Sequence, residues 1–246
     1  MMADSDTKDG WSEDDSRHFI DYGAYFVPER ETQIDTICSV IPSPQENSLI
    51  VDICCGEGLL ASALARRFSQ CHILALDGSS AMLEATGRRL GKTGTSWTTS
   101  FMDIADSGWR QFDRPVHAFV SSLAVHHLDG PGKASLFRDL AAALAPGGVI
   151  VICDLVEARR REGLALWERH WDDGVRERAL HLDGNEDMLH FFREDGWNYY
   201  SDPEADPVDM PSGLFEQLKW LEEAGLVDVD LHWLVAGHAI FSARKP

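Results

Sequence analysis

LIVDICCGEGLLASALA, Leu49 to Ala65, followed by HILALDGSSAML, His72 to Leu83, decides the fold of this chain. An apolar run ends in Asp52, turns through Cys54-Cys55-Gly56-Glu57-Gly58 and enters a run with helical spacing. The next apolar run ends in a second acid, Asp77. Gly56-x-Gly58-x-x-Ala61 fits the pattern of a strand-to-helix turn that a nucleoside ligand can approach closely, although a bare tight turn fits it too. Asp77 stands where a carboxylate meets ribose hydroxyls at the end of the neighbouring strand.

Outward from this stretch, strand and helix alternate. Strands are predicted at Leu49–Cys54, His72–Leu76, Thr95–Phe101, Val116–Ser121 and Val149–Leu155, and helices at Leu59–Phe68, Ser80–Leu90, Gly132–Leu144 and from about Val156 onward. The first, fourth and fifth strands are nearly all apolar, as parallel strands covered on both faces are. Right-handed crossovers and a doubly wound α/β sheet follow. Towards the end, a helix at Ser212–Ala224 is stopped by Gly225. Leu226–Leu234 and Ala236–Ala243 then lie too close together for a helical crossover, so they form an antiparallel hairpin.

On the other side, residues 1 to about 12 read as a frayed acidic terminus. A helix follows around Glu13–Tyr22, and Pro28 opens another with Glu29 and Glu31 in its first turn. Three regions result: 1–45, an N-terminal helical lid; 46–156 with 211–246, the sheet domain; and 157–210, a cap insertion rich in Trp, His and acids.

The composition excludes several classes. A hydrophobic content of 44% is enough for a packed core and against wholesale disorder. A formal net charge of -19 repels phosphate backbones and anionic lipid, so nucleic acid and membrane surfaces are poor partners. Arg159-Arg160-Arg161 sits among Glu157 and Glu162 and reads as a solvated face. The five cysteines have no paired metal-ligand spacing, so no metal is expected. Met1–Asp15 lacks the pattern of a leader, and a reduced, cytoplasmic setting is the expectation.

Two features separate a sulfonium nucleoside from a dinucleotide. Asp52, inside the end of the first strand, would meet pyrophosphate with a like charge but suits a ligand carrying sulfonium and ammonium groups. Asp103, just after the third strand in FMDIAD, can accept a hydrogen bond from an adenine amino group. With VDICCGEG, ALDGSSAML, FMDIAD, FVSSLAVHHL, LAPGGVIVICDL and LEEAGLVDVDLHWLVAGHAIFSARK in this order, the chain resembles the class I S-adenosylmethionine-dependent methyltransferases of the small bacterial type with an inserted cap. The resemblance runs from about residue 49 to the end, the insertion apart.

That resemblance implies a seven-stranded sheet in order 3-2-1-4-5-7-6, with S-adenosylmethionine over the carboxyl ends of the strands. Asp52, Cys54, Gly56 and Gly58 would line its methionine and ribose parts. Asp77, with Gly78 and Ser79 beside it, would hold the ribose hydroxyls. Asp103 and the Ile104 backbone would take the adenine, with Met82 packed on the ring. Ser121, Ser122 and Leu123 would face the methionine end and the acceptor. Cys54 replaces the family's first loop glycine, and a side chain there requires a negative φ.

His126 and His127 follow the fourth strand and are the candidate general bases, against a packing role above the sheet. Arg30 either pairs with the cofactor's carboxylate or serves as a surface partner of Glu29 or Glu31. In the insertion, His170, Trp171, Trp197, Tyr199 and Tyr200 build either an aromatic wall for the acceptor or a second small core. Asp202, Glu204, Asp206 and Asp209 read as a solvated loop, because prolines break any calcium loop there. His238 reads as a core histidine. The function implied is methyl transfer to oxygen or nitrogen of a small molecule. The rivals are a tRNA or protein methyltransferase, a non-catalytic cofactor-binding protein, and a nicotinamide-dependent oxidoreductase, which Asp52 and the hairpin oppose.

Overall fold

The computed structural model describes residues 11–204 and 208–246. The chain runs α1 (Glu13–Phe26), α2 (Arg30–Val40), β1 (Leu49–Ile53), α3 (Leu59–Arg67), β2 (His72–Asp77), α4 (Ser80–Leu90), β3 (Ser96–Phe101) and β4 (Val116–Ser122). It continues through α5 (Gly130–Ala143), β5 (Leu144–Leu155), α6 (Arg161–Asp183), α7 (Asp187–Glu194), α8 (Leu214–Glu223), β6 (Val227–Val235) and β7 (His238–Arg244). The seven strands form one sheet in order 3-2-1-4-5-7-6, as expected. β1 to β5 are parallel, and β7 pairs antiparallel with both β5 and β6.

Strand alternation divides the core in two. Leu49, Val51 and Ile53 of β1 pack with Leu136, Phe137 and Leu140 of α5 and Leu221 of α8. Ile50, between them in sequence, packs on the opposite face with Ile37 of α2 and Leu60 and Leu64 of α3. A third cluster belongs to the insertion: Trp171, Val175, Leu189, Phe192 and Tyr200 close around Phe26 of α1. Tyr200 docks this cap on the sheet, its hydroxyl 2.9 Å from the carbonyls of Val156 and Gly237. A Cβ at Gly237 would lie 2.2 Å from that hydroxyl, and φ is +76° there, so only glycine fits this hairpin turn.

Local signals set several helix starts. Ser12 and Asp15 form a capping box at α1, Ser79 caps α4, and Asp129 caps α5 just ahead of Pro131. Two starts are corrected. α2 begins at Arg30, not Pro28, because Glu29 takes a left-handed turn (φ +48°). The cap helix begins at Arg161, not near Val156. The Val156 N–H donates to the Gly237 carbonyl and the Glu157 N–H to that of Ser212, which holds this stretch to the sheet domain.

Cys54 overturns the expectation of negative φ: it sits at +53°, in the left-handed region. A non-glycine residue there costs about 1–2 kcal/mol, against about 0.5–1 kcal/mol of extra chain entropy for glycine. Cys54→Gly is therefore expected to raise the unfolding free energy by about 0.5–1 kcal/mol, read from the urea midpoint at constant slope. A lowered midpoint would show that the thiol's packing outweighs the backbone strain.

Candidate active site

A cleft of about 660 Å³ opens above the carboxyl ends of β1, β2 and β4. The loop after β1 enters it first. Gly56 has φ +54° and donates its N–H to Asp77 Oδ2 at 2.8 Å, while the Ser79 N–H donates to Oδ1 at 2.9 Å. The Asp77 carboxylate thus ties the glycine turn to the start of α4. A Cβ at Gly56 would meet no protein atom, so its open side faces the cleft. Burial lifts the Asp77 pKa above the ordinary carboxylate value, and the N–H groups of Ser79, Gly56 and Gly78 draw it back.

Asp52 lies at the cleft floor, 1% exposed, and neither carboxylate oxygen has a hydrogen-bond partner among the described residues. Burial pushes its pKa well up, the Asp77 charge adds to that, and the Ala61 N–H at the start of α3 opposes it. An acid left this way is stabilised by a cation placed beside it.

Met82, Phe101, Met102, Asp103 and Ile104 line the far end, with Asp103 Oδ1 accepting from the Ala105 N–H at 2.8 Å. Cys54, Gly78 and Ser79 also line the cleft. Two expected residues do not. Gly58 turns its Cα towards Thr86, where a Cβ would stand 2.7 Å from the hydroxyl, so it serves helix packing. Ser121 is fully buried and donates to the Ile53 carbonyl at 2.9 Å, a bond from β4 to β1. Ser122 and Leu123, expected there too, do line the cleft; the alternation of a strand separates Ser122 from Ser121.

The roof comes from the N-terminal helix and the cap. Glu13 of α1 accepts from the Ser80 N–H at 2.8 Å and the Ser79 hydroxyl at 3.1 Å, clasping the start of α4. Trp11 packs against both His127 and Trp197, at 5.6 and 6.1 Å between ring centres. Arg30 lines the cleft with its guanidinium over the Phe19 ring at 5.4 Å, and it donates to the Gly23 carbonyl. It pairs with neither Glu29 nor Glu31; Glu31 binds Arg178.

Beside Ser122–Ala124 lies a cluster built from three distant segments. His126 and His127 occupy a short 3-10 turn after β4. The His126 Nδ1 and main-chain N–H both engage the Asp154 carboxylate at the end of β5. Asp209, read from sequence as part of a solvated loop, instead packs its Oδ1 3.4 Å from His126 Nε2 and 3.1 Å from His127 Nδ1. Its loop is held there because the Met210 N–H donates to the His126 carbonyl at 2.8 Å, and Lys133 Nζ reaches the carbonyls of Leu128 and Met210. Asp202 and Glu204 are exposed as expected; Asp206 lies outside the described residues.

Burial opposes charge on His126, but Asp154 and Asp209 outweigh it and push the pKa to about 9, so the ring is protonated at neutral pH. His238, buried with its Nδ1 2.9 Å from the Ala236 carbonyl, is lowered by burial to about 4 and stays neutral, a core histidine. The cysteines are all free thiols. Burial raises Cys54 and Cys55 well above the ordinary thiol value, so the pair is an unreactive one.

Residues 50–148 match the family model described as "Methyltransferase domain". The chain is 30% identical over 121 residues to an "Uncharacterized methyltransferase" of Mycobacterium tuberculosis, covering 49% of this chain and 57% of the relative. It is 30% identical over 156 residues to the trans-aconitate 2-methyltransferase of Streptomyces coelicolor, covering 57% and 50% respectively. The chain thus spans little more than half the length of these curated relatives. Among solved structures, an O-methyltransferase family protein of Burkholderia thailandensis superposes with a TM-score of 0.66 at 14% identity, over 94% of this chain and 59% of that one. At that identity the likeness is one of fold. No helix among the described residues is long and apolar enough to cross a membrane.

Proposed function

From a chain whose residues 50–148 match a methyltransferase-domain model and whose sheet runs in the order 3-2-1-4-5-7-6, we infer an S-adenosylmethionine-dependent methyltransferase acting on an oxygen or nitrogen of a small-molecule acceptor. The observation that carries this reading is the pair of acids at the cleft floor. Asp77 is locked to the Gly56 turn with its carboxylate facing the cavity, and Asp52 is buried without a hydrogen-bonding partner. A phosphate-bearing dinucleotide meets repulsion there, whereas a ligand with ribose hydroxyls and a positive end satisfies both acids. Bound there, S-adenosylmethionine supplies a methyl group already activated by a positive sulfur.

The residues of the chain then bind, orient and exclude water. Asp77 accepts from the ribose hydroxyls, Asp103 and Ile104 take the adenine edge, and Met82 and Phe101 supply apolar contact. Arg30, which lines the cleft and forms no ion pair with Glu29 or Glu31, is placed for a carboxylate. Ser122, Leu123 and the His126–His127 turn border the acceptor's side, where alignment for in-line attack contributes much of the rate. The described part of residues 1–45 and the 157–210 insertion act as lid and cap, with the aromatic rings of Trp11, Phe19 and Trp197 keeping water from the cleft.

The acceptor is a small molecule. The cleft carries Glu13, Asp52, Asp77, Asp103 and Asp209 against Arg30 and His126, a poor surface for a nucleic-acid backbone. Isothermal titration tests the reading directly: S-adenosylhomocysteine is expected to bind with 1:1 stoichiometry and NAD to give no heat. NAD binding in its place overturns it.

A further inference from the structure

We propose that His126, His127 and Asp209 form a binding site for one divalent transition-metal ion at the acceptor end of the cleft. The inference deepens the methyltransferase reading, because it concerns how the acceptor is held, but the binding it describes does not depend on the cofactor.

Four observations converge. The first is distance. His126 Nε2 and His127 Nδ1 lie 3.4 and 3.1 Å from the same oxygen of Asp209, and one donor atom from each of the three falls within 4.8 Å of the others. Donors held at about 2.1 Å around one ion stand about 3.0–3.4 Å apart in octahedral or tetrahedral geometry. The second is alignment. His127 Nδ1 is buried and close to a carboxylate, yet it has no hydrogen bond of acceptable geometry. A ring nitrogen placed beside an acceptor but not aimed at it suits a shared third partner better than a two-body contact.

The third is orientation from behind. Asp154 grips His126 Nδ1 and its main-chain N–H, which turns Nε2 towards Asp209 and the cleft. A carboxylate behind a histidine in this way is a recurrent support of metal ligands. The fourth is charge. Asp154 and Asp209 bring two carboxylates to this corner, at 2% and 19% side-chain exposure, and one divalent ion would neutralise both. The nearby Lys133 directs its ammonium to the carbonyls of Leu128 and Met210, holding the Asp209 loop in place.

Two imidazoles and one carboxylate select a first-row transition ion such as zinc over magnesium or calcium. Three protein donors leave positions open on the cleft side, towards Ser122 and Ala124. There an oxygen or nitrogen of the acceptor can bind and be turned towards the methyl donor.

The test uses the full chain stripped with chelator, then dialysed against zinc chloride, with metal content measured by mass spectrometry and affinity by titration calorimetry. The expected result is about one zinc retained per wild-type chain. His127→Ala and Asp209→Ala should retain less than a tenth of that while keeping the wild-type circular dichroism spectrum. His181→Ala, altered at an exposed position on α6, should match wild type. Asp154→Asn should bind about ten- to a hundredfold more weakly. Wild type retaining no more zinc than the Asp209 variant overturns the site. S-adenosylhomocysteine binding, measured on the same samples, separates the two readings: zinc retained without nucleoside binding leaves this site standing and the cofactor assignment refuted.

Discussion

Asp77→Ala is expected to weaken S-adenosylhomocysteine binding by tenfold or more in a calorimetric titration. The carboxylate has two duties in the structure. It accepts from the N–H groups of Gly56 and Ser79, fixing the glycine turn, and in the proposed reading it is the acid that meets the ribose hydroxyls. Hydrogen bonds to a charged group contribute about 1.5–3 kcal/mol each, and each 1.4 kcal/mol is about tenfold in affinity. Losing the ribose contacts therefore gives at least a tenfold effect, and loosening the turn adds to it. Because burial raises the Asp77 pKa, wild-type affinity should also fall on acidification at a higher pH than an exposed aspartate would dictate. The sign follows from the ionised form being the acceptor. Unchanged affinity in Asp77→Ala would place the nucleoside elsewhere.

Asp154→Ala should produce the largest loss of stability among single changes near the cleft. The side chain is 2% exposed and serves the His126 ring, the His126 N–H and the Leu155 N–H. Removing it leaves a buried imidazolium facing only Asp209, with two main-chain donors unsatisfied. Breaking a buried pair from one side costs about 3–5 kcal/mol, which for a chain of this length lowers the melting temperature by roughly 10 °C. The measurement is thermal unfolding in chelator, with His126→Leu and the double variant completing a cycle. The double variant should recover part of the loss, because the uncompensated cation is gone. A melting temperature within 2 °C of wild type for Asp154→Ala would mean that the pair contributes little.

Most of the sheet domain was legible because its signals are local. The apolar runs of β1, β4 and β5 and the short interval before β7 each rest on residues a few positions apart. The near-continuous burial of β4 and β5 follows from helices on both faces of a parallel sheet. Of Ser121, Ser122 and Leu123, the last two line the cleft and Ser121 does not, because in a strand one position is the difference between facing a ligand and facing a neighbouring strand. The true start of α6 was hidden because hydrogen bonds from the remote residues Gly237 and Ser212 hold Val156 and Glu157 to the sheet domain, and that of α2 because Glu29 takes a left-handed turn.

Asp209 marks the deeper divide. It lies 82 positions after His127, and its neighbourhood of prolines and acids reads as a solvated loop. Nothing local signals that Lys133 and the His126 carbonyl capture that loop. The alternating apolar and helical runs of this chain were sufficient to dictate a doubly wound sheet and to put Asp52 and Asp77 at the ends of its first two strands, because hydrophobic period is a short-range property; the strand order followed only from the family resemblance. Which acids meet which histidines, that Cys54 would accept a left-handed backbone, and that Gly58 would serve packing and not a ligand were decided only by tertiary structure. Those outcomes depend on segments distant in sequence competing for the same few cubic ångströms.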